Sequence, residues 1–155
     1  MQLLGVEKVI WLPAGLAEDE TSGHVDNVAC FARPGVVLAL ATDDKADAGY
    51  TGLAENLDVL RAATDARGRS LEVLPVTQPK ARKRRDGRRL PLSHLSLYLA
   101  NGAVIVPRYD DPADNAAARL FATAWPGREI VQVDALEIAD GGGGIHGITL
   151  PQPAP

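Results

Sequence analysis

One order of elements, met twice, does most to limit the folds open to this chain. Val25 to Phe31 and Val36 to Ala41 are apolar runs rich in β-branched residues, and Ala32-Arg33-Pro34-Gly35 between them predicts a hairpin with a Pro-Gly turn. Leu53, Leu57, Leu60 and Ala63 then recur at helical spacing, placing a helix over Asn56 to Ala63. Ala66-Arg67-Gly68-Arg69 ends it, and Leu71-Glu72-Val73-Leu74 reads as a short strand stopped by Pro75. The order then returns. His94 to Ala100 and Ala103 to Val106 flank Asn101-Gly102, the strongest short hairpin signal. Ala113 to Trp125 is helical, with Ala117, Leu120, Phe121 and Ala124 on one face, and Glu129 to Val133 is the next strand. Even the joins match: Asp43-Asp44-Lys45-Ala46-Asp47 against Asp110-Asp111-Pro112-Ala113-Asp114. A β-β-α-β unit therefore occurs twice, over residues 24–75 and 94–134. Such self-similarity signals a repeat architecture, in which each unit buries a face against a neighbour and a propeller needs more than two units. Ahead of both, Val6 to Leu12 predicts a buried strand, with Trp11 in the core.

Two polar stretches stand apart from this pattern. Near the end lies Asp140-Gly141-Gly142-Gly143-Gly144-Ile145-His146-Gly147-Ile148-Thr149. Each glycine costs roughly 0.5–1 kcal/mol against alanine in a regular element, so four in a row suit close backbone approach or positive φ. A flexible linker into the Pro-rich tail Leu150 to Pro155 is the competing explanation. The other stretch is Glu18-Asp19-Glu20-Thr21-Ser22-Gly23-His24-Val25-Asp26-Asn27. His24 and Asp26 are two apart, so on a strand they point to one face. Taken alone, such a pair at a strand start is more often a satisfied surface pair than a proton carrier set beside a carboxylate.

Together the two stretches resemble the agmatine deiminase family, the guanidine-modifying enzymes of the pentein fold, which are related to bacterial-type peptidylarginine deiminases. There an acidic turn leads into Gly-His-x-Asp-Asn, matched by Gly23 to Asn27, and Gly-Gly-Gly-x-Ile-His-Cys-Ile-Thr closes the protein, matched by Gly141 to Thr149 except at Gly147, where the family carries its nucleophilic cysteine. Ser96 stands where the family usually has Asn, Ala14 replaces a glycine, and Pro151 replaces a polar residue. The resemblance implies an α/β fold: a partial pentein β/α-propeller of two β-β-α-β modules, an N-terminal strand and a C-terminal glycine-rich active-site loop. Residues 1–155 would form one domain, the C-terminal portion of such an enzyme. It further implies hydrolysis of agmatine to N-carbamoylputrescine and ammonia, toward putrescine, with no cofactor and no metal. His24 would be the general acid–base, Asp26 a guanidinium ligand, and Gly143 and Gly144 part of the substrate pocket. Glu18 and Asp19 would meet the ammonium end of agmatine, or simply form a solvated acidic turn. His146 would pack or orient the loop.

Gly147 has no side chain, and the N-terminal portion of the family, with its first guanidinium-gripping carboxylate, has no counterpart here. The chain is accordingly expected to be inactive; the alternative is a non-catalytic remnant that binds or assembles. Agmatine and peptidyl-arginine both stay open as the ancestral substrate. Cys30 shares parity with Asp26, yet four residues along a strand carry it roughly 13 Å away, so it reads as a small buried hydrophobe. Sheet edges left open by missing modules would favour self-association.

Composition narrows the rest. Apolar residues make up 46% and charged residues 23%, with a net charge of −4, which suits a soluble domain. No apolar run reaches the length of a membrane span, and Met1 to Gly5 does not read as a signal peptide. The single Cys30 excludes an intrachain disulfide and suits a reducing cytoplasm. The three histidines and one cysteine are too widely spaced to suggest zinc. In the connecting segment 76–92, Lys80 to Arg89 holds seven basic residues in ten. With no aromatics interleaved for base stacking and an acidic remainder, it reads as a solvated insertion and not as a nucleic-acid arm.

Overall fold

A computed structural model describes residues 3, 5–19 and 23–152; Glu20, Thr21 and Ser22 of the acidic turn, and Pro153 to Pro155 of the tail, lie outside the described residues. Strands β1 (Ala29–Arg33) and β2 (Val36–Ala41) form an antiparallel hairpin, with a register shift between Phe31 and Arg33. Gly35 turns it with φ +82°, a conformation open to glycine. Helix α1 (Tyr50–Ala62) crosses over to β3 (Glu72–Thr77), which pairs parallel to β2. The second half repeats this connectivity. β4 (Tyr98–Ala100) and β5 (Ala103–Arg108) pair antiparallel across Asn101-Gly102, and α2 (Ala113–Ala124) leads to β6 (Glu129–Asp134), parallel to β5. The result is a mixed α/β fold with two three-stranded sheets, ordered β1-β2-β3 and β4-β5-β6. A short helix α3 (Leu136–Asp140) precedes the glycines, and 3-10 turns form at Val25–Asn27 and His146–Ile148.

β2 shows why the halves cohere. Five of its six residues are buried, and strand alternation divides them between two faces. Val37 and Ala39 pack with Leu57, Leu60 and Leu71 beneath α1. Leu38 and Leu40 join Val76, Val104, Val106, Ala117, Phe121 and Trp125 in a cluster built from both halves. The indole Nε1 of Trp125 donates to the Ala32 carbonyl at 2.8 Å, and Arg33 donates to the Ala124 carbonyl at 2.9 Å. Full burial of a side chain such as Phe121 is worth about 1.5–3 kcal/mol, so this shared cluster dominates cohesion over the two polar ties.

Several expectations need correction. Val6 to Leu12 is not a strand: only Ile10 and Leu12 pack inward, against the β2–α1 cluster, and Trp11 is 83% exposed, not core. Pro75 does not stop β3, which runs on to Thr77; β3 is an edge strand, where a residue lacking an N–H is tolerated. His94 to Leu97 lies outside β4, because the backbone folds there into a turn with the Ser96 amide donating to the Ser93 carbonyl at 3.3 Å. The pairing of β4 with β5 thus ends at Tyr98↔Ile105. Pro107 then sits in β5 beyond the reach of β4.

The basic segment is largely exposed, as expected, but it is anchored to the body of the protein at Arg82, Arg84 and Arg89. Lys83 and Arg89 bridge antiparallel about a turn at Asp86-Gly87. Arg82 donates to the Asp110 carbonyl at 2.7 Å. Arg89 grips Asp47 in two bonds, of 3.2 and 2.7 Å, with both side chains under one-tenth exposed. Burial alone would raise the Asp47 carboxyl, but the Arg89 guanidinium and the Gly49 amide outweigh it and hold it below its ordinary value. Asp47 therefore adds stability above the unfolded aspartate value near 3.9, and loses that contribution as pH falls through its lower folded value. Arg89→Met is expected to cost about 3–5 kcal/mol in urea unfolding at pH 7, the cost of leaving a buried charge unpaired. Asp47→Asn should be destabilised at pH 7, with the deficit against the unaltered chain shrinking below pH 4.

Candidate functional site

The approach to the site is set by Asn56, buried in α1. Its amide accepts from the Ala14 backbone N–H at 3.1 Å and donates to the Ala14 carbonyl at 2.8 Å, fixing the incoming chain. Gly15 and Gly23 then meet back to back: a Cβ on Gly15 would lie 2.3 Å from the Cα of Gly23. Only glycine permits that neck, and it delivers the chain to His24.

His24 and Asp26 do not sit on a strand, as their alternation predicts. Val25–Asn27 is a 3-10 turn, closed by Asn27 N–H to the His24 carbonyl and Val28 N–H to the Val25 carbonyl. The turn still gathers the pair: His24 Nδ1 lies 3.9 Å from Asp26 Oδ1, with His24 well exposed and Asp26 partly covered. The same correction removes the strand-distance argument about Cys30, which follows at the start of β1. Cys30 lines a different cavity, an apolar groove with Leu12, Phe31, Val37 and Leu60 that contains neither His24 nor any residue of the glycine loop. Burial pushes its thiol up to about 12, which disfavours the reactive thiolate.

The glycine loop forms the facing wall. α3 ends with the Gly141 amide donating to the Glu137 carbonyl and the Gly142 amide to the Ala139 carbonyl. Gly142 takes φ +94°, the left-handed conformation that commonly closes a helix. Arg84 reaches over from the basic segment to donate to the Ala139 carbonyl at 3.2 Å. Gly144 is required for a different reason, since a Cβ there would lie 2.1 Å from Ser96 Oγ. Gly143 and Gly147 meet no such obstacle, with nothing within 4 Å of a built Cβ. The loop continues into the His146–Ile148 turn, whose first amide donates to the Ser96 carbonyl at 3.3 Å. The His146 side chain is exposed, so it is not packed into the loop.

Between the walls lies a cavity of about 480 Å³, lined by Asp19, His24, Asp26 and Asn27 on one side and by Gly141 to Gly144 and Gly147 on the other. Stretches over a hundred residues apart in sequence thus share one space. Glu18 is not in this lining; with φ +60° it faces a narrow cleft beside Arg84 and Arg89. Two lining residues, Glu137 and Ile138, escaped the sequence reading. Their signal was only adjacency to the glycines. The lining carries three carboxylates and no lysine or arginine. That balance favours a cation, and Asp26 beside His24 offers an acceptor for N–H groups with a proton carrier next to it.

Comparison with known proteins points the same way. The family described as Porphyromonas-type peptidyl-arginine deiminase matches residues 1–153. A Legionella pneumophila protein, provisionally named an agmatine deiminase, is 48% identical over 151 residues, which are 97% of this chain and 43% of that protein. The agmatine deiminase of Pseudomonas fluorescens is 40% identical over 169 residues, covering 98% of this chain and 46% of its own length. Among solved structures, the agmatine deiminase of Enterococcus faecalis superposes with a TM-score of 0.85 at 35% identity, over 92% of this chain and 44% of that one. The chain spans less than half the length of these relatives.

The contrast among the glycines is testable. Gly144→Ala should cost about 1–3 kcal/mol, the usual penalty for overpacking, because Ser96 is 1% exposed and has nowhere to move. Gly143→Ala should stay within about 0.5 kcal/mol. Adding Ser96→Gly should recover part of the Gly144→Ala loss. Urea unfolding of the three variants measures each term.

Proposed function

The chain belongs to the Porphyromonas-type peptidyl-arginine deiminase family, and from that membership we propose that it is a guanidinium-binding member that does not hydrolyse its ligand. The observation that carries this reading is the cavity in which Asp26 and His24 face the glycine loop while position 147, on the same lining, holds no side chain.

The chemistry follows from the parts. In an agmatine deiminase, agmatine and water give N-carbamoylputrescine and ammonia. A thiolate attacks the central guanidinium carbon, and histidine protonates the departing ammonia and later takes a proton from water. Here Asp26 is assigned to the guanidinium N–H groups, where a carboxylate accepts two parallel bonds. His24 is assigned to the proton. Asp19 and Glu137 add negative charge to the same lining and suit a second cationic end, as in agmatine. Gly147 leaves the attack without a nucleophile, and positioning groups alone retain only a small residue of catalysis. Cys30 is no substitute, lining a separate groove with its thiol held protonated.

Agmatine titrated into the labelled chain should shift the amides of Asp26, Asn27 and Gly142 to Gly144 together, and Asp26→Asn should abolish the effect. No ammonia should be released above background. Turnover that survives Cys30→Ala would overturn the assignment of position 147. A Cβ at Gly147 meets open space, so Gly147→Cys should fold normally. In a Cys30→Ala background its thiol should alkylate with a midpoint below that of a free cysteine, near 8.5, because protonated His24 favours the thiolate.

A further inference from the structure

Burying a polar side chain is costly unless it is bonded, so a concentration of them marks a place where geometry is being specified. Eight polar or charged residues are buried among those described, and five of them, Asn27, Ser93, His94, Ser96 and Asp114, fall in one run of contacts. That run crosses from one wall of the cavity to the other. Ser93 Oγ donates to the Asn27 carbonyl at 2.6 Å, next to Asp26. The same oxygen accepts the Leu95 amide at 3.2 Å, which curls the chain into its turn. Three residues on, the Ser96 carbonyl accepts the His146 amide, and Ser96 Oγ lies against Gly144. One tight turn therefore touches the His24–Asp26 side and the glycine loop at once.

The turn is itself anchored. His94 is fully buried, and its Nε2 lies 2.8 Å from Asp114 Oδ1. Asp114, in the first turn of α2, also accepts the backbone amides of Tyr109 and Asp111, at 3.2 and 2.9 Å. Tyr109 returns a bond from its hydroxyl to the Ser93 carbonyl at 3.0 Å, and its ring lies 5.5 Å from that of His94. Because the carboxylate is built into the start of a helix, its position is fixed by the second sheet. The turn inherits that rigidity.

We propose that the Ser93–Ser96 turn, locked by the His94–Asp114 pair, is the positioning element that keeps His24 and Asp26 in register with the Gly142–Gly147 loop. The role rests on the reading of the cavity as a guanidinium site. Ser93, His94, Ser96 and Asp114 do not line the cavity, so they act through Asn27 and Gly144, not on the ligand.

The reporter is the full chain carrying Cys30→Ala and Gly147→Cys, with the pH profile of iodoacetamide alkylation as readout. His24→Ala sets the uncoupled limit. Ser93→Ala and His94→Leu should each move the midpoint up toward that limit, by up to about one pH unit, or tenfold in thiolate at neutral pH. His94→Gln, whose amide nitrogen still reaches Asp114 as a donor, should keep the parental profile. In parallel, hydrogen exchange at the His146 amide should quicken in Ser93→Ala while amides of β2 and β5 keep their protection. Unchanged profiles and unchanged His146 exchange, in variants that unfold cooperatively, would overturn the proposal. Should His94→Leu fail to fold, Ser93→Ala, which removes a single oxygen, decides. Should His24→Ala leave the parental profile unmoved, the guanidinium reading fails, and the His146 exchange alone then decides for or against the positioning role.

Discussion

The Asp114 carboxylate is the group on which most of the second half depends. It accepts from His94, from the Tyr109 amide just past β5 and from the Asp111 amide before α2, while the Asp114 carbonyl accepts from Gln132 of β6. Burial on its own would raise this carboxyl, yet those bonds outweigh it and hold it below its ordinary value. Hydrogen bonds to a charged group are worth about 1.5–3 kcal/mol each, enough for a single side chain to tie a strand end, a helix start and a turn. Asp47 plays a comparable part in the first half, where it caps the Gly49 amide and clamps Arg89. Asp47 and Asp114 occupy equivalent positions in the two joins between hairpin and helix, so the repeat extends from connectivity to electrostatics.

Where bonding was local, the fold could be read from the sequence. Asn101-Gly102 and Pro34-Gly35 specify their turns through backbone preference alone, and the apolar face of α2 places that helix almost to the residue. Where a distant partner intervened, it could not. The run Val25 to Phe31 looks like uniform strand, but its first part is drawn into a 3-10 turn whose last carbonyl answers Ser93. His94 to Leu97 looks like strand and is a turn, because Asp114 of α2 holds His94 from a distance while the adjacent Ser93 hydroxyl takes the Leu95 amide. Val6 to Leu12 has the composition of a buried strand, yet it lies along the groove beside β1 without joining a sheet.

The candidate site shows the same division. Resemblance to the agmatine deiminase family, and not spacing, was what joined His24 and Asp26 to the glycines, and alternation along a strand is not how the structure gathers the pair. Gly143 and Gly144 look interchangeable in sequence, yet one faces open space and the other a buried hydroxyl. Seven basic residues in ten suggested a surface feature. The charges of Arg89 and Arg84 are instead spent on Asp47 and on the end of α3, so the segment braces the rear of the glycine loop.

The glycine neck at Gly15 and Gly23 has a consequence for how such a chain can diverge. Because the backbone touches itself there, the chain entering Gly15, held by Asn56, is pinned against the chain that leaves Gly23 for His24. Change at the two glycines would propagate directly into the site. The start of the His24 turn is thereby tied to two positions that resist substitution for different reasons, Gly15 for want of space and Gly23 for its φ of +113°.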